Sequence, residues 1–157
     1  MSHVTKIDLK VRDLDALEEA ADQLGLELRR EQKKYAWWGR FVGDSHEYGD
    51  ADPKTFGRCE HALRIKGTTP HDGSGGPWEI GVVPAKDGDG YTLLYDRYGS
   101  AGRQLEEKVG ARCAKLKQEY ACAVTTKRAR ATIARKGFEL TREGLAGGRI
   151  RLRLRKR

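Results

Sequence analysis

Between positions 105 and 124 the apolar residues fall at Leu105, Val109, Cys113, Leu116, Tyr120 and Val124, at spacings of 4, 4, 3, 4 and 4. Only an α-helix gathers such positions into one stripe. A stripe that long must be buried against something. The surface on offer comes from the flanking segments, where the apolar period changes to two and the chain reads as strands.

Val4, Ile7, Leu9 and Val11 alternate within "HVTKIDLKV" and predict a first strand. Asp13 is placed to cap a helix over "LDALEEAADQLG", with Leu14, Leu17, Ala21 and Leu24 as its stripe and Gly25 as its stop. "LELRREQKKYAWWGRFV" resumes extended character, with a break near Gln32. A strand at "CEHALRIKG" follows, and "WEIGVVPA" and "YTLLYDRY" then flank the hairpin turn "KDGDG". The long helix is expected to start with Ser100 as its cap and to bend or divide near Val124, Thr125 and Thr126. Gly137 ends it, with Phe138 placed for the contact that follows a glycine cap. "FELTREG" and "RIRLRLRKR" form a closing hairpin across Gly147 and Gly148.

This order, β-α-β, then strands, then α-β-β, reads as an α+β fold. It predicts a largely antiparallel sheet of about six to seven strands with two helices packed on one face. The length of 157 residues suits a single domain over 1–157, with a loop-rich insertion at about 43–76. No stretch has the length and apolarity of a transmembrane helix. "MSHVTKIDLKVRD" lacks the apolar run of a signal peptide, so a cytoplasmic protein away from the membrane is expected. The three cysteines, Cys59, Cys113 and Cys122, form no disulfide framework, which suits a reducing compartment.

Charge is distributed unevenly. Residues 1–102 carry 14 Lys+Arg against 18 Asp+Glu, and residues 103–157 carry 17 against 5. Concentration of this kind points to an acidic partner, either nucleic acid or an acidic protein surface.

Both ends are similar to a family of uncharacterised proteins. The carrying segments are "MSHVTKIDLKVRDLDALEEAADQLG", "EYACAVTTKRARATIARKGFEL" and the final "GRIRLRL". They resemble the hypothetical chloroplast reading frame of algal plastids, a domain of unknown function with relatives in cyanobacteria and phages. Shared features are the opening Met-Ser-His, a helix ending in Leu-Gly, a late Tyr-Ala, a Gly-Phe near 137 and a glycine-led last strand. The middle, about 43–76, is longer and more glycine-rich than the family pattern. Family members tend to finish near a Trp, whereas this chain ends Arg-Lys-Arg. The resemblance therefore supports the fold, implies no catalytic motif or cofactor, and leaves the basic ending to be read by itself.

In that ending, Ile150, Leu152 and Leu154 alternate with Arg149, Arg151, Arg153 and Arg155, followed by Lys156 and Arg157. The apolar set is expected to pack under the helices. The arginines then form a row at ~6.6 Å spacing on the other face, with no acid expected to interleave on that face. Edge protection alone would need fewer charges. Lys127 and Arg128 lie upstream of the last helical turn and extend the basic set. Arg135 and Lys136 fall in that turn, where the helix dipole favours cations. "KKYAWWGRF" sets Trp37 and Trp38 beside cations, the combination that single-stranded nucleic acids use for stacking.

Other constellations are weaker. Cys59 and His61 share a strand face, with His46 and His71 in nearby loops, but their spacing fits no zinc pattern and no metal site is expected. "DGDG" at 87–90 lacks the later Glu of a calcium loop and reads as a turn. His71, Asp72 and Ser74 are close in sequence, which carries no triad geometry. With no nucleophile elbow, phosphate-binding glycine fingerprint or HExxH, no catalytic residue or cofactor is assigned. The expected function is a non-enzymatic binding module whose basic C-terminal face contacts nucleic-acid phosphates with low sequence specificity. The alternative is a protein adaptor or phage-encoded assembly component docking on an acidic partner. A small hydrolase built around His71 or His46 is the third reading.

Overall fold

The computed structural model describes residues 3–39, 48–72 and 75–157. Five strands form one antiparallel sheet: β1 (Val4–Val11), β2 (Leu26–Arg29), β3 (His61–Ile65), β4 (Ile80–Pro84) and β5 (Tyr91–Asp96), in the order β1-β5-β4-β3-β2. The other two, β6 (Phe138–Gly144) and β7 (Ile150–Lys156), pair only with each other. The α+β class, the antiparallel pairing and the strand number are as expected. The terminal hairpin is a sheet of its own rather than a continuation of the large one.

Alternation in the strands assigns the two faces of the large sheet. Ile7, Val11, Leu26, Leu28, Leu63, Ile65, Ile80, Val82, Leu93 and Tyr95 point to one side and are buried under helices. Helix α1 (Leu14–Gln23) lies there, capped by Asp13, whose Oδ1 accepts the Ala16 N–H at 3.0 Å. Its Ala16, Leu17, Ala20 and Ala21 are buried, and burying a leucine such as Leu17 contributes roughly 1.5–3 kcal/mol.

The long helical stretch is divided, though not where the β-branched run stands. Helix α2 (Gly99–Val109) and helix α3 (Ala114–Lys136) are separated by Gly110 and a short 3-10 turn at Ala111–Cys113, in which Gly110 (φ 80°), Arg112 (φ 52°) and Cys113 (φ 58°) all take positive φ. Leu105, Val109, Cys113, Leu116 and Tyr120 remain buried across the break, so the stripe survives while the axis turns. Helix α3 runs unbroken past Val124, Thr125 and Thr126, with the Thr125 hydroxyl donating back to the Ala121 carbonyl at 2.8 Å. Ser100 does not cap α2. Tyr98 holds that position, and Asp96 Oδ1 accepts its N–H at 2.9 Å.

The opposite sheet face is covered by the connections around 32–39 and 48–59. Tyr35, Phe56 and Cys59 are buried there on Val4, Ala62 and Leu94. The Tyr35 ring lies so close to Gly81 that a β-carbon would sit 2.4 Å from its Cδ1. Two buried carboxylates hold this layer. Glu79 accepts from Arg64 Nε at 2.9 Å, from Gln32 Nε2 and from the Ala36 N–H. Asp96 accepts the backbone N–H groups of His3, Trp38 and Tyr98. The 43–76 stretch is thus not peripheral throughout: it contains β3 and three buried residues of the second core, Phe56, Cys59 and Ala62.

Candidate nucleic-acid interface

Gly137 ends α3 in the left-handed conformation, φ 68° and ψ 32°, and turns the chain back along the helix. The hairpin closes at both ends: Leu145 N–H bonds the Arg149 carbonyl at 2.7 Å, and Arg157 N–H bonds the Gly137 carbonyl at 2.8 Å. Gln118 Nε2 donates to the Gly148 carbonyl, and Arg142 Nη2 reaches both oxygens of Glu119 at 2.7 and 2.8 Å. That hydrogen bonding raises the Arg142 pKa further. These bonds fix the hairpin on α3, with half-buried Phe138, Leu140, Ile150 and Leu152 as the apolar contact. Leu154 is an exception to the expected packing. It sits on the outer strand, 57% exposed, because β6 rather than β7 adjoins the helix.

Arg149, Arg151, Arg153 and Arg155 are all exposed on the outward face, as the alternation requires. Their strand partners alter the electrostatics. Arg151 pairs with Glu143, Arg153 with Thr141 and Arg155 with Glu139. Glu143 Oε2 lies 3.7 Å from Arg151 and 3.8 Å from Arg153. The row is therefore interrupted by acid from the neighbouring strand, although none stands on β7 itself. Arg149 Nε bonds the Ala146 carbonyl at 3.3 Å. Lys156 is exposed but alternates to the side of Leu152 and Leu154, away from the arginines, and Arg157 is exposed at the strand end.

Lys127 does not join this surface. Its Nζ is bound to Asp13 at 2.6 Å and lies 3.6 Å from Asp15, linking α3 to the start of α1. The hydrogen bond to Asp13 raises the Lys127 pKa and holds the Asp13 carboxyl below its ordinary value. Arg128 is exposed, with no ion pair among the described residues.

The tryptophans stand elsewhere. Residues 32–39 form no strand, only an isolated bridge between Lys34 and Arg58. Trp37 is half-buried, edge-on to Phe56 at 5.9 Å. Trp38 is 47% exposed and edge-on to Tyr98 at 5.5 Å. Both belong to the layer covering the sheet face opposite α1 and α3, so neither shares a surface with the arginine row.

Cys59 is buried, donates its thiol to the Gln32 carbonyl, and has its pKa pushed up to about 12 by burial. His61 Nδ1 accepts the Glu31 N–H at 2.9 Å, and burial lowers its pKa. His71 packs on Trp78 with ring centres 4.3 Å apart. His46 and Ser74 lie outside the described residues. Among the described residues there is no group of three potential metal ligands and no helix long and apolar enough to cross a membrane. Asp87 and Asp89 occupy the β4–β5 turn and pair with Lys10 and Arg12.

No protein-family model, curated protein or solved structure matches the chain.

Proposed function

We propose that this chain is a binding module whose C-terminal hairpin contacts nucleic acid through the phosphate backbone, largely independently of sequence. One observation carries the reading. Arg149, Arg151, Arg153 and Arg155 stand exposed together on the outward face of the outermost element, beside only two carboxylates, Glu139 and Glu143. Guanidinium groups suit this role because they stay charged and match phosphate oxygens with paired donors. Arg157, exposed at the end of β7, supplies flanking charge, and phosphate contacts of this kind position a protein without reading bases. The likeness of both ends to the chloroplast reading-frame family is compatible with this proposal and assigns no activity.

The test is the simultaneous replacement of the four strand arginines by Gln, with binding to short DNA and RNA as the readout. All four are exposed, so the variant should fold. Loss of binding supports the reading, and unchanged binding rejects it. A pull-down with and without nuclease identifies the partner class: capture that survives nuclease and depends on the same arginines would replace nucleic acid with an acidic protein.

A further inference from the structure

The hairpin has the dimensions of a groove reader. It contains two strands only, and neither pairs with the large sheet. Each strand has seven residues, a length of ~23 Å, and the strands lie ~4.8 Å apart. With its side chains, such a ribbon fits the major groove of B-form DNA, ~12 Å wide and ~8.5 Å deep. The deep, narrow major groove of A-form RNA does not admit one. β7 forms the outer side of the ribbon, and residues 153–157 are exposed without interruption.

The side chains add a second argument. A face that touched phosphates alone would have no use for carboxylates, which repel them. This face carries Glu143 opposite Arg151 and Glu139 opposite Arg155, with Thr141 between them opposite Arg153. Glu143 Oε2 is in salt-bridge range of Arg151 and Arg153, at 3.7 and 3.8 Å, but hydrogen-bonded to neither, so these exposed pairs can exchange partners with a ligand. In a major groove each type has a counterpart. Arginine donates to guanine O6 and N7, glutamate accepts from the cytosine amine, and threonine can serve either base.

We infer that the ribbon seats in the major groove of duplex DNA, with Arg151, Arg153, Glu139 and Glu143 toward the base edges. Resting on the phosphate-binding reading above, this adds a preference for G·C pairs to a largely sequence-independent affinity. Arg149 and Arg157, at the two ends of the ribbon, meet the bordering phosphates.

The experiment compares a short G·C-rich duplex with the same duplex carrying glucosylated 5-hydroxymethylcytosine. The sugar fills the major groove and leaves the phosphate charge unchanged. Binding should weaken about tenfold or more, the loss of at least one good base contact, while the minor-groove ligand netropsin should not displace the protein. Replacing both acids (Glu139→Gln with Glu143→Gln) should narrow the difference between G·C-rich and A·T-rich duplexes. Equal binding to plain and glucosylated duplexes, or tighter binding to single strands, overturns the groove inference and leaves the phosphate reading intact. A uniform rise in affinity of the glutamine variant for every duplex would show the acids acting only by repulsion, and also overturns it. Absence of binding to any nucleic acid at low salt removes both.

Discussion

Lys127 Nζ lies 2.6 Å from Asp13 Oδ2, joining residues 114 positions apart. The carboxylate does two things at once: Oδ1 caps α1 through the Ala16 N–H, and Oδ2 anchors α3. Two helical turns earlier on α3, Tyr120 Oη accepts the backbone N–H groups of Arg12 and Asp13 at 3.0 and 3.2 Å. A lysine that sequence alone adds to the basic surface is therefore part of the helix–helix joint.

That joint has a pH signature. The Lys127 hydrogen bond, then the Ala16 N–H, depress the Asp13 pKa below its ordinary 3.8. A depressed carboxyl stabilises the fold above the unfolded-state value and loses that contribution as pH falls through the folded-state value. Lys127→Ala should therefore lower stability at pH 7, and its difference from the parent should shrink on acidification below 3.8. Asp13→Ala, which also removes the cap, should cost about 1 kcal/mol. Urea unfolding across this pH range checks both, and Lys127→Ala should affect DNA affinity less than loss of a β7 arginine.

Glu79 is the ionic anchor of the opposite layer, 3% exposed and bound to Arg64, Gln32 and the Ala36 N–H. Glu79→Ala leaves Arg64 Nε and that N–H without their acceptor and the guanidinium without its counter-charge, although Nη2 still donates to Gln32 Oε1. The expected loss is on the order of 3 kcal/mol, read as a lower urea midpoint.

Gly81 tests the packing of Tyr35. In Gly81→Ala the new methyl would meet the Tyr35 ring at 2.4 Å, forcing it off the sheet. Such overpacking costs about 1–3 kcal/mol, and each kcal/mol lowers Tm by about 2–4 °C at this chain length. Gly144→Ala is the control: nothing stands within 4 Å of the added carbon, and Tm should hardly move.

The large elements were legible in the sequence because their apolar periods are clean. β1, β3, β4, β5 and α1 follow directly from alternation and caps, as in Val4–Val11 and Asp13. The break at Gly110 was not, because the stripe continues through it and only the glycine marks the turn. On the candidate surface, alternation within β7 correctly exposes the arginines. What one strand cannot disclose is its neighbour. "FELTREG" also alternates, and folding it across Gly147 and Gly148 brings Glu139 and Glu143 into the row. The surroundings of Lys127 and Trp38 were illegible for a related reason: their partners, Asp13 and Tyr98, are far away in sequence.

The thiols should differ in reactivity. Burial pushes Cys59 and Cys113 up to about 12, leaving little thiolate at pH 8, whereas half-buried Cys122 is raised less far. Brief alkylation of the native protein with iodoacetamide, followed by peptide mass spectrometry, should find Cys122 modified first. All three should react in urea.

The most direct measurement of the central claim is the salt dependence of binding to a short duplex, for the parent chain and for the variant lacking the four strand arginines. Each phosphate neutralised contributes roughly −0.7 to −0.9 to the log–log slope. A slope worth about three or four contacts in the parent chain, collapsing in the variant, is the expected result. A parent chain that fails to bind at low salt, or a variant that keeps the parent's slope, would contradict the assignment of the hairpin as a nucleic-acid surface.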